Sequence, residues 1–494
     1  MKLKTVSAAI AVALAAVAAP ASASPLSFTH QWTFTHGGGQ TSEIASFDSV
    51  SNTLWVVGLV GIDVLNASTG GLVQHIDTTG FGSANSIAIN NGLAAVAMES
   101  SADRTLPGTI RFFDTTTRSL ATGINSVTVG ALPDMVTFTP DGKKLLVANE
   151  ATPNIDPVTK SYAGYDPAGS LSIIDMNTRT VAATATFTGV LPTGGVRYAG
   201  MDLEPEYIAV NSAGTKAFVT LQESNALAVL DLNTQRVTSV TGLGTKDFST
   251  AANAIDPNNK DGKIELRSSA VKGLYQPDGI AAYESGGKTY LVMANEGDTR
   301  EDDVDKLRAK SSGLSGVPAD LKELNIARPD SASGSLVTFG GRSFSIRDDQ
   351  GNLVFDSGNT LEVEAIKRGI YDDQRSDDKG VEPEGVALRE IGGKTFAFIG
   401  LERTTKGAVA VYDITNPGAA SFVDMLVTDG DVSPEGITTF ISGGKLMLGI
   451  ANEVSGTTTV YSISAVPEPG TYAMLLAGLG LMGTITRRRS KKAE

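Results

Sequence analysis

Three segments of the chain repeat one pattern closely enough to restrict its architecture. Gln276-Pro277-Asp278-Gly279-Ile280-Ala281 precedes Leu291-Val292-Met293-Ala294-Asn295-Glu296. Glu382-Pro383-Glu384-Gly385-Val386-Ala387 precedes Phe396-Ala397-Phe398-Ile399-Gly400-Leu401-Glu402, and Ser433-Pro434-Glu435-Gly436-Ile437 precedes Met447-Leu448-Gly449-Ile450-Ala451-Asn452-Glu453. In each copy an opening and a closing acid stand 18 residues apart and bracket two short apolar runs. Midway lies a turn, Gly286-Gly287-Lys288, Gly392-Gly393-Lys394 or Gly443-Gly444-Lys445, with the positive-φ residues that tight hairpins need. A hairpin repeated in this way cannot bury its faces alone and has to stack on its neighbours.

Looser copies pair Glu206 with Glu223, Asp134 with Glu150 and Asn85 with Glu99; Glu43 opens a copy whose second strand, Val56-Val57-Gly58, has no closing acid. Asp141-Gly142-Lys143 and Ala213-Gly214-Thr215 supply further turns. Third strands follow at Ile110 to Asp114, Leu171 to Asp175, Leu227 to Asp231 and Ala408 to Asp413. The opening positions 43, 85, 134, 206, 278, 384 and 435 are 42 to 106 residues apart. Against a blade of roughly 40 to 50 residues, the surplus is inserted loop. The expected fold is all-β, a seven-bladed β-propeller over residues 24–465, with Leu26 to Phe34 pairing beside Thr459 to Ile463 to close the ring. A tandem of two smaller β domains is the competing arrangement.

Both ends of the chain read as addresses. Lys2 and Lys4, an apolar run from Val6 to Ala19 and Ala21-Ser22-Ala23 fit a signal peptide over residues 1–23 cut after Ala23. At the other end, Pro467-Glu468-Pro469, an apolar segment from Tyr472 to Ile485 and Arg487-Arg488-Arg489 resemble a PEP-CTERM sorting signal over residues 466–494. That resemblance implies recognition and cleavage near Pro467 to Pro469 by an exosortase-type enzyme. The apolar segment would anchor the chain transiently in the inner membrane of a Gram-negative bacterium, basic tail inside, before delivery to the envelope or extracellular surface. A plain membrane anchor is the alternative.

With no cysteine in 494 residues, the exported domain must be held by burial and strand pairing. A net charge of −14 excludes a nucleic-acid surface, which needs clustered Lys and Arg. The three histidines, His30, His36 and His75, all lie near the first copy and read as surface or packing residues, so a His triad or His-ligated zinc centre is not expected.

A hairpin returns its chain to the edge where it began, so opening and closing acids share one end of each sheet. The expected channel mouth gathers Glu204, Glu206, Glu223, Asp278, Glu296, Glu382, Glu384, Glu402, Glu435 and Glu453, with Glu99 and Glu150 among them. Crowded carboxylates need a positive partner. Divalent cations, Ca²⁺ first, suit oxygen-only ligands; alternatively Arg197, Arg300, Arg375 and Arg403 fork onto the acids. Hydrolysis at such a site would be metal-assisted, with Glu296, Glu384, Arg300 and Arg403 as candidate catalytic groups. Two insertions adjoin it. Thr299 to Gly334 reads as a charged, partly helical excursion, and Arg342 to Gly380 as a small extra hairpin ending in Asp372-Asp373-Gln374-Arg375-Ser376-Asp377-Asp378-Lys379-Gly380; solvated decoration is the plainer reading of both. Asp256 to Gly262 misses the spacing of a calcium loop and reads as an Asx-turn.

Over nearly the whole mature chain, the sequence resembles the choice-of-anchor I family. The resemblance lies in Met201-Asp202-Leu203-Glu204-Pro205-Glu206-Tyr207, Tyr275-Gln276-Pro277-Asp278-Gly279, Ala294-Asn295-Glu296-Gly297-Asp298, Arg375-Ser376-Asp377-Asp378-Lys379-Gly380, Glu382-Pro383-Glu384-Gly385 and Ala451-Asn452-Glu453-Val454-Ser455-Gly456. It implies an exported propeller with a surface anchor. Alkaline-phosphatase-like labels in that family, and similar repeats in esterase-like phytases with an acidic Ca²⁺ channel, imply a metal-dependent phosphoesterase. The alternative is a non-enzymatic module of the extracellular matrix or biofilm that binds exopolysaccharide.

Overall fold

The computed structural model describes residues 25–197, 203–302 and 305–466. The signal segment with Ala23, Met201-Asp202, and the sorting residues Pro467, Glu468 and Pro469 lie outside them. Of two compact units, Phe28–Ile463 contains the fold; the other, Met1–Ser27 with Ser464–Glu494, falls almost wholly outside the described residues.

Among the described residues, the apolar runs of the repeat become the middle strands of seven antiparallel sheets, all but the last laid down in chain order. The first sheet is Ala45–Asp48, Thr53–Gly58, Gly61–Asn66 and Leu72–Asp77, and the second Ala84–Asn90, Leu93–Met98, Pro107–Asp114 and Ser126–Ala131. The third is Pro133–Phe138, Lys144–Asn149, Ser170–Asp175 and Thr180–Thr186, and the fourth Pro205–Val210, Lys216–Leu221, Ala226–Asp231 and Arg236–Gly242. Ile280–Ser285, Lys288–Asn295, Ser343–Asp348 and Leu353–Asp356 form the fifth. The sixth is Pro383–Ile391, Lys394–Leu401, Gly407–Asp413 and Ser421–Thr428. The seventh takes Pro434–Ser442, Lys445–Asn452 and Thr457–Ala465 from the end of the chain and Leu26–Thr35 from its beginning. The expected third strands and the pairing of the two chain ends are therefore present.

Middle strands such as Thr53–Gly58 are buried at every position, whereas outer strands such as Thr180–Thr186 alternate toward solvent. A strand buried on both faces needs a sheet on either side. Trp55 and Val64 of the first sheet pack on Ile87 and Val96 of the second, and Phe112 and Val136 join the second to the third. Leu146 and Val219, Phe218 and Met293, and Phe344 and Ile399 share buried clusters across the next three junctions. Leu54 and Leu65 then pack against Phe440, Met447 and Val460, returning the series to its start. The first strands touch in the same cyclic order. The architecture is all-β and propeller-like, and a tandem of two β domains does not describe it.

Two sequence expectations need correction. Ser343 to Arg347 and Asn352 to Phe355 are not an extra hairpin: they fall in the third and fourth strands of the fifth sheet, separated from its first hairpin by the Thr299 to Gly334 excursion. Spacing could not show this, because the intervening loop is as long as a whole sheet. The excursion itself is built less on helix than on a two-stranded hairpin, Lys306–Arg308 with Asn325–Ala327, with only short 3-10 turns at Ala309–Ser311 and Ala319–Leu321. Asp256 does form an Asx-turn, its carboxylate accepting from the Asn258 amide at 3.3 Å.

His36 is a packing residue, as its place in the sequence implies, and it joins the chain ends. Its Nδ1 lies 2.6 Å from Asp63 Oδ2 and its Nε2 2.8 Å from Thr458 Oγ1, so residues before the first sheet tie that sheet to the last strand of the chain. His75 holds the other Asp63 oxygen at 2.7 Å.

The glycines after the opening acids explain why first strands can meet so closely. A Cβ on Gly279, Gly385 or Gly436 would overlap the carbonyl oxygen of Glu384, Glu435 or Glu43 on the next sheet. Gly385→Ala is expected to destabilise the protein by about 1–3 kcal/mol, because backbone rather than a flexible side chain must yield. Gly37, where an added methyl would meet nothing within 4 Å, should tolerate the same change within about 0.5 kcal/mol. Urea denaturation midpoints check both, and equal midpoints would refute the close-approach account.

Candidate metal centre

The opening acids are aimed by a shared irregularity of the first strands. The ladder register shifts between Pro133 and Met135, Pro205 and Ile208, Pro383 and Val386, and Pro434 and Ile437, so that Asp134, Glu206, Glu384 and Glu435 sit in bulges. A bulge turns its side chain out of the pleat, and proline, lacking an N–H, fits there without a lost ladder bond. Two residues before the acid, Leu132, Gln276, Glu382 and Ser433 have φ of 42°, 45°, 48° and 63°. Such left-handed geometry costs about 1–3 kcal/mol per non-glycine residue. It is held by the return strand: the amides of Glu150, Gly297, Glu402 and Glu453 donate to the carbonyls of those four residues at 2.8 to 3.0 Å.

The result is a cavity of about 350 Å³ whose walls include Asp134, Glu206, Asp278, Glu384 and Glu435 from first strands and Glu296 and Glu402 from second strands. Asn85 stands at the corresponding place of the second sheet. In the first sheet, where the closing acid is missing, Thr41 takes the space beside Gly58 and its hydroxyl donates to Glu43 Oε1 at 2.7 Å.

The cavity has two electrostatic halves. On one side Lys379 Nζ lies 2.9 Å from Glu296, Asp298 and Glu382, Arg375 Nε donates to Glu382 at 2.6 Å, and Arg403 Nη2 lies 2.7 Å from Glu402. Burial alone would lower the Lys379 ammonium, but the Asp298, Glu296 and Glu382 carboxylates override it and hold it well above the usual lysine range. On the other side, no ion pair joins Asp134, Glu206, Asp278, Glu384 or Glu435 to a lysine or arginine among the described residues. Burial first, and then neighbouring carboxylates, push these five acids well above the ordinary range. The same causes raise Glu402 to about 8, while Glu150, buried near Glu301 and Glu99, rises to about 7.

Donor oxygens of Asp278, Glu296 and Glu384 come within 4.8 Å of one another, as do those of Glu296, Glu382 and Glu402. Glu384 Oε2 and Asp378 Oδ1 are buried without a hydrogen-bond partner. An all-oxygen donor set with orphaned acceptors fits a hard cation.

Other expected site residues lie apart. Glu204 and Glu223 are buried near Tyr162 and each other, outside the cavity wall, and Glu453 lies beside Glu43 and Glu435. Of the four arginines expected to pair with these acids, Arg375 meets Glu382 and Arg403 meets Glu402. Arg197 donates to Asp305 and Asp330 at 2.8 and 2.9 Å and to the Glu223 carbonyl at 2.9 Å. Arg300 bonds Asp302 at 3.1 Å, stacks 4.6 Å over Tyr162 and is not part of the cavity wall. The acids that both arginines meet, Asp302, Asp305 and Asp330, come from the Thr299 to Gly334 excursion, which spacing between repeats does not reveal.

The residue that sequence reasoning passes over is Lys379. Its signal is the Asp377-Asp378-Lys379-Gly380 run two residues before Glu382, which on sequence alone reads as solvated decoration. These residues are buried instead. Arg342, 1% exposed, donates to the Ser376 and Asp378 carbonyls at 2.7 and 2.9 Å and pairs at 3.1 Å with Glu362 on the helix Thr360–Lys367, fixing the turn that presents the lysine.

The sequence model of the choice-of-anchor I domain matches residues 43–417. The chain belongs to the choice-of-anchor I family. A PEP-CTERM protein-sorting motif matches residues 465–490, so this choice-of-anchor I protein is exported, surface-sorted and associated with the cell envelope, with a tail of the kind that exosortase-type enzymes recognise. No curated protein matches it. Among solved structures it is similar to Kuenenia stuttgartiensis hydrazine synthase at 12% identity and a TM-score of 0.50, over 86% of this chain and 96% of that one, a likeness of fold alone. No helix among the described residues is long and apolar enough to cross a membrane; Tyr472 to Ile485 lies outside them.

The raised carboxyls set the pH response of this choice-of-anchor I protein. The fold favours the neutral form of a carboxyl pushed above its unfolded value near 4.5, so that stabilisation is complete below that pH and is lost as pH rises through the folded values of about 7 and 8. In chelator, the melting temperature should fall from pH 6 to pH 9, and Glu402→Gln should flatten the fall. Calorimetry showing a temperature that rises across that window would contradict the assignment.

Proposed function

We propose that the choice-of-anchor I protein is a seven-bladed β-propeller, residues 24–465, that carries one or more Ca²⁺ ions in its acidic cavity at the outer surface of a Gram-negative envelope. Residues 1–23 are its signal peptide, removed after Ala23. Residues 466–494 are its sorting signal: the apolar segment 472–485 holds it transiently in the inner membrane until cleavage near Pro467, Glu468 and Pro469.

One observation carries the metal reading. Asp278, Glu296 and Glu384 bring their oxygens within 4.8 Å of one another, and the buried Glu384 Oε2 has no hydrogen-bond partner. Like charges at that separation stay ionised only beside a cation. Oxygen-only ligands of this kind suit Ca²⁺, which takes 6 to 8 of them at roughly 2.3–2.6 Å, before Mg²⁺. Its presence would supply positive charge at the cavity floor, toward which anionic groups of an exopolysaccharide or a phosphoester are drawn.

A phosphoester-cleaving reading of the same site is favoured by Arg403, which lines the cavity with an Nε that makes no hydrogen bond. Its guanidinium would hold a phosphoryl oxygen beside the cation, with Glu296 or Glu384 available to accept a proton from water. Without turnover, the same pair of cation and arginine makes a retention site for acidic matrix polymers.

Titration calorimetry tests the ion directly. Wild-type protein should bind Ca²⁺, and free Ca²⁺ at 100 times Kd should stabilise it by about 2.7 kcal/mol, whereas Glu384→Gln should weaken binding at least tenfold. Absence of heat and of any thermal shift with Ca²⁺ would end the reading. Phosphate release from a generic monoester, lost in chelator and in Glu384→Gln, would select the enzyme; polymer retention lost in chelator without turnover would select the binding module.

A further inference from the structure

Two carboxylate triads share Glu296: Asp278–Glu296–Glu384, all in the cavity wall, and Glu296–Glu382–Glu402, whose Glu382 stands behind that wall. A shared carboxylate between two oxygen clusters is the arrangement of a two-ion centre, in which metals stand roughly 3.5–4 Å apart. The two triads differ in what faces them. Lys379 Nζ lies 2.9 Å from Glu296 Oε1 and 2.9 Å from Glu382 Oε2, with Asp298 Oδ1 as a third contact at 2.9 Å. Arg375 and Arg403 complete the neutralisation at Glu382 and Glu402. Among the described residues, no lysine or arginine pairs with Asp278 or Glu384, and Asp378, nine-tenths buried, lines the same cavity with an Oδ1 that has no hydrogen-bond partner.

We propose that Lys379 is a built-in cation that fills the Glu296–Glu382–Glu402 cluster, so that the cavity takes one divalent ion, at Asp278–Glu296–Glu384, and not a pair. The proposal rests on the metal reading above and specifies its stoichiometry. Two of the three donors of the ammonium are used on Glu296 and Asp298, and its charge lies 2.9 Å from Glu382 Oε2. Its place is not adjustable. Lys379 is 4% exposed, and the turn that carries it is gripped on its carbonyls by Arg342, itself paired with the fully buried Glu362. A second ion would have to displace a side chain held from behind by a buried ion pair. Removing only the ammonium leaves Glu296, Glu382 and Glu402 with excess buried negative charge, which a divalent ion can neutralise.

Equilibrium dialysis of the full chain against ⁴⁵Ca²⁺ decides it. Wild type is expected to bind one ion per chain and Lys379→Met two. Glu382→Gln, which alters only the lysine-filled cluster, should still bind one. Two ions in wild type, or one in a Lys379→Met protein with an intact melting transition, would overturn the proposal while leaving the metal reading in place. No ion in wild type would remove both. If Lys379→Met does not fold, Glu382→Gln decides: loss of the ion there places Glu382 among the ligands and overturns the assignment, and its retention supports it.

Discussion

Everything distinctive about this protein depends on backbone meeting backbone at the inner edges of its sheets. The first strands of neighbouring sheets approach so closely that Gly279, Gly385 and Gly436 have no room for a methyl beside the carbonyls of Glu384, Glu435 and Glu43. At that distance the residues flanking each contact cannot keep an ordinary pleat. At Asp134, Glu384 and Glu435 a left-handed residue, a proline and a bulge together turn the opening acid inward, and the amide at the close of the second strand holds the kink in place. Close approach of the strands and crowding of the carboxylates are therefore one constraint, since the geometry that packs the sheets also gathers the charge.

Gathered charge then has to be answered, and the molecule answers it unevenly. Half of the cavity is neutralised by Arg403, just past the second strand of the sixth sheet, and by Lys379 and Arg375, delivered by an insertion that a buried Arg342–Glu362 pair anchors from beneath. The other half is left with acids whose burial and mutual repulsion favour either a proton or an external cation. That asymmetry separates a site from a mere concentration of acid. A fully paired cluster would be structural glue, whereas a partly paired one is what the proposed cation would require.

An exported protein without cysteine relies on such devices. The chain ends are secured by the seventh sheet, built from both termini, and by His36, which reaches from Asp63 in the first sheet to Thr458 in the last strand. Buried apolar clusters at the junctions carry the remaining load, and the tail matched by the sorting motif lies beyond the last strand.

The sequence by itself determined the repeating hairpins, their order, the joining of the two ends and the convergence of opening and closing acids, because strand periodicity and glycine turns are local and a hairpin brings its ends to one edge. It also carried the family and the sorting tail in Pro-acid-Gly runs and in the order Pro-Glu-Pro, apolar segment, basic stop. Only the tertiary structure decided which acids share the cavity, that Glu204, Glu223 and Glu453 stand outside its wall, and that Ser343 to Asp348 completes the fifth sheet. The role of Lys379 was likewise beyond reach of the sequence. A buried charge within a charged run looks like solvated loop until the elements that cover it, here Arg342 and the helix Thr360–Lys367 of the same insertion, are folded around it.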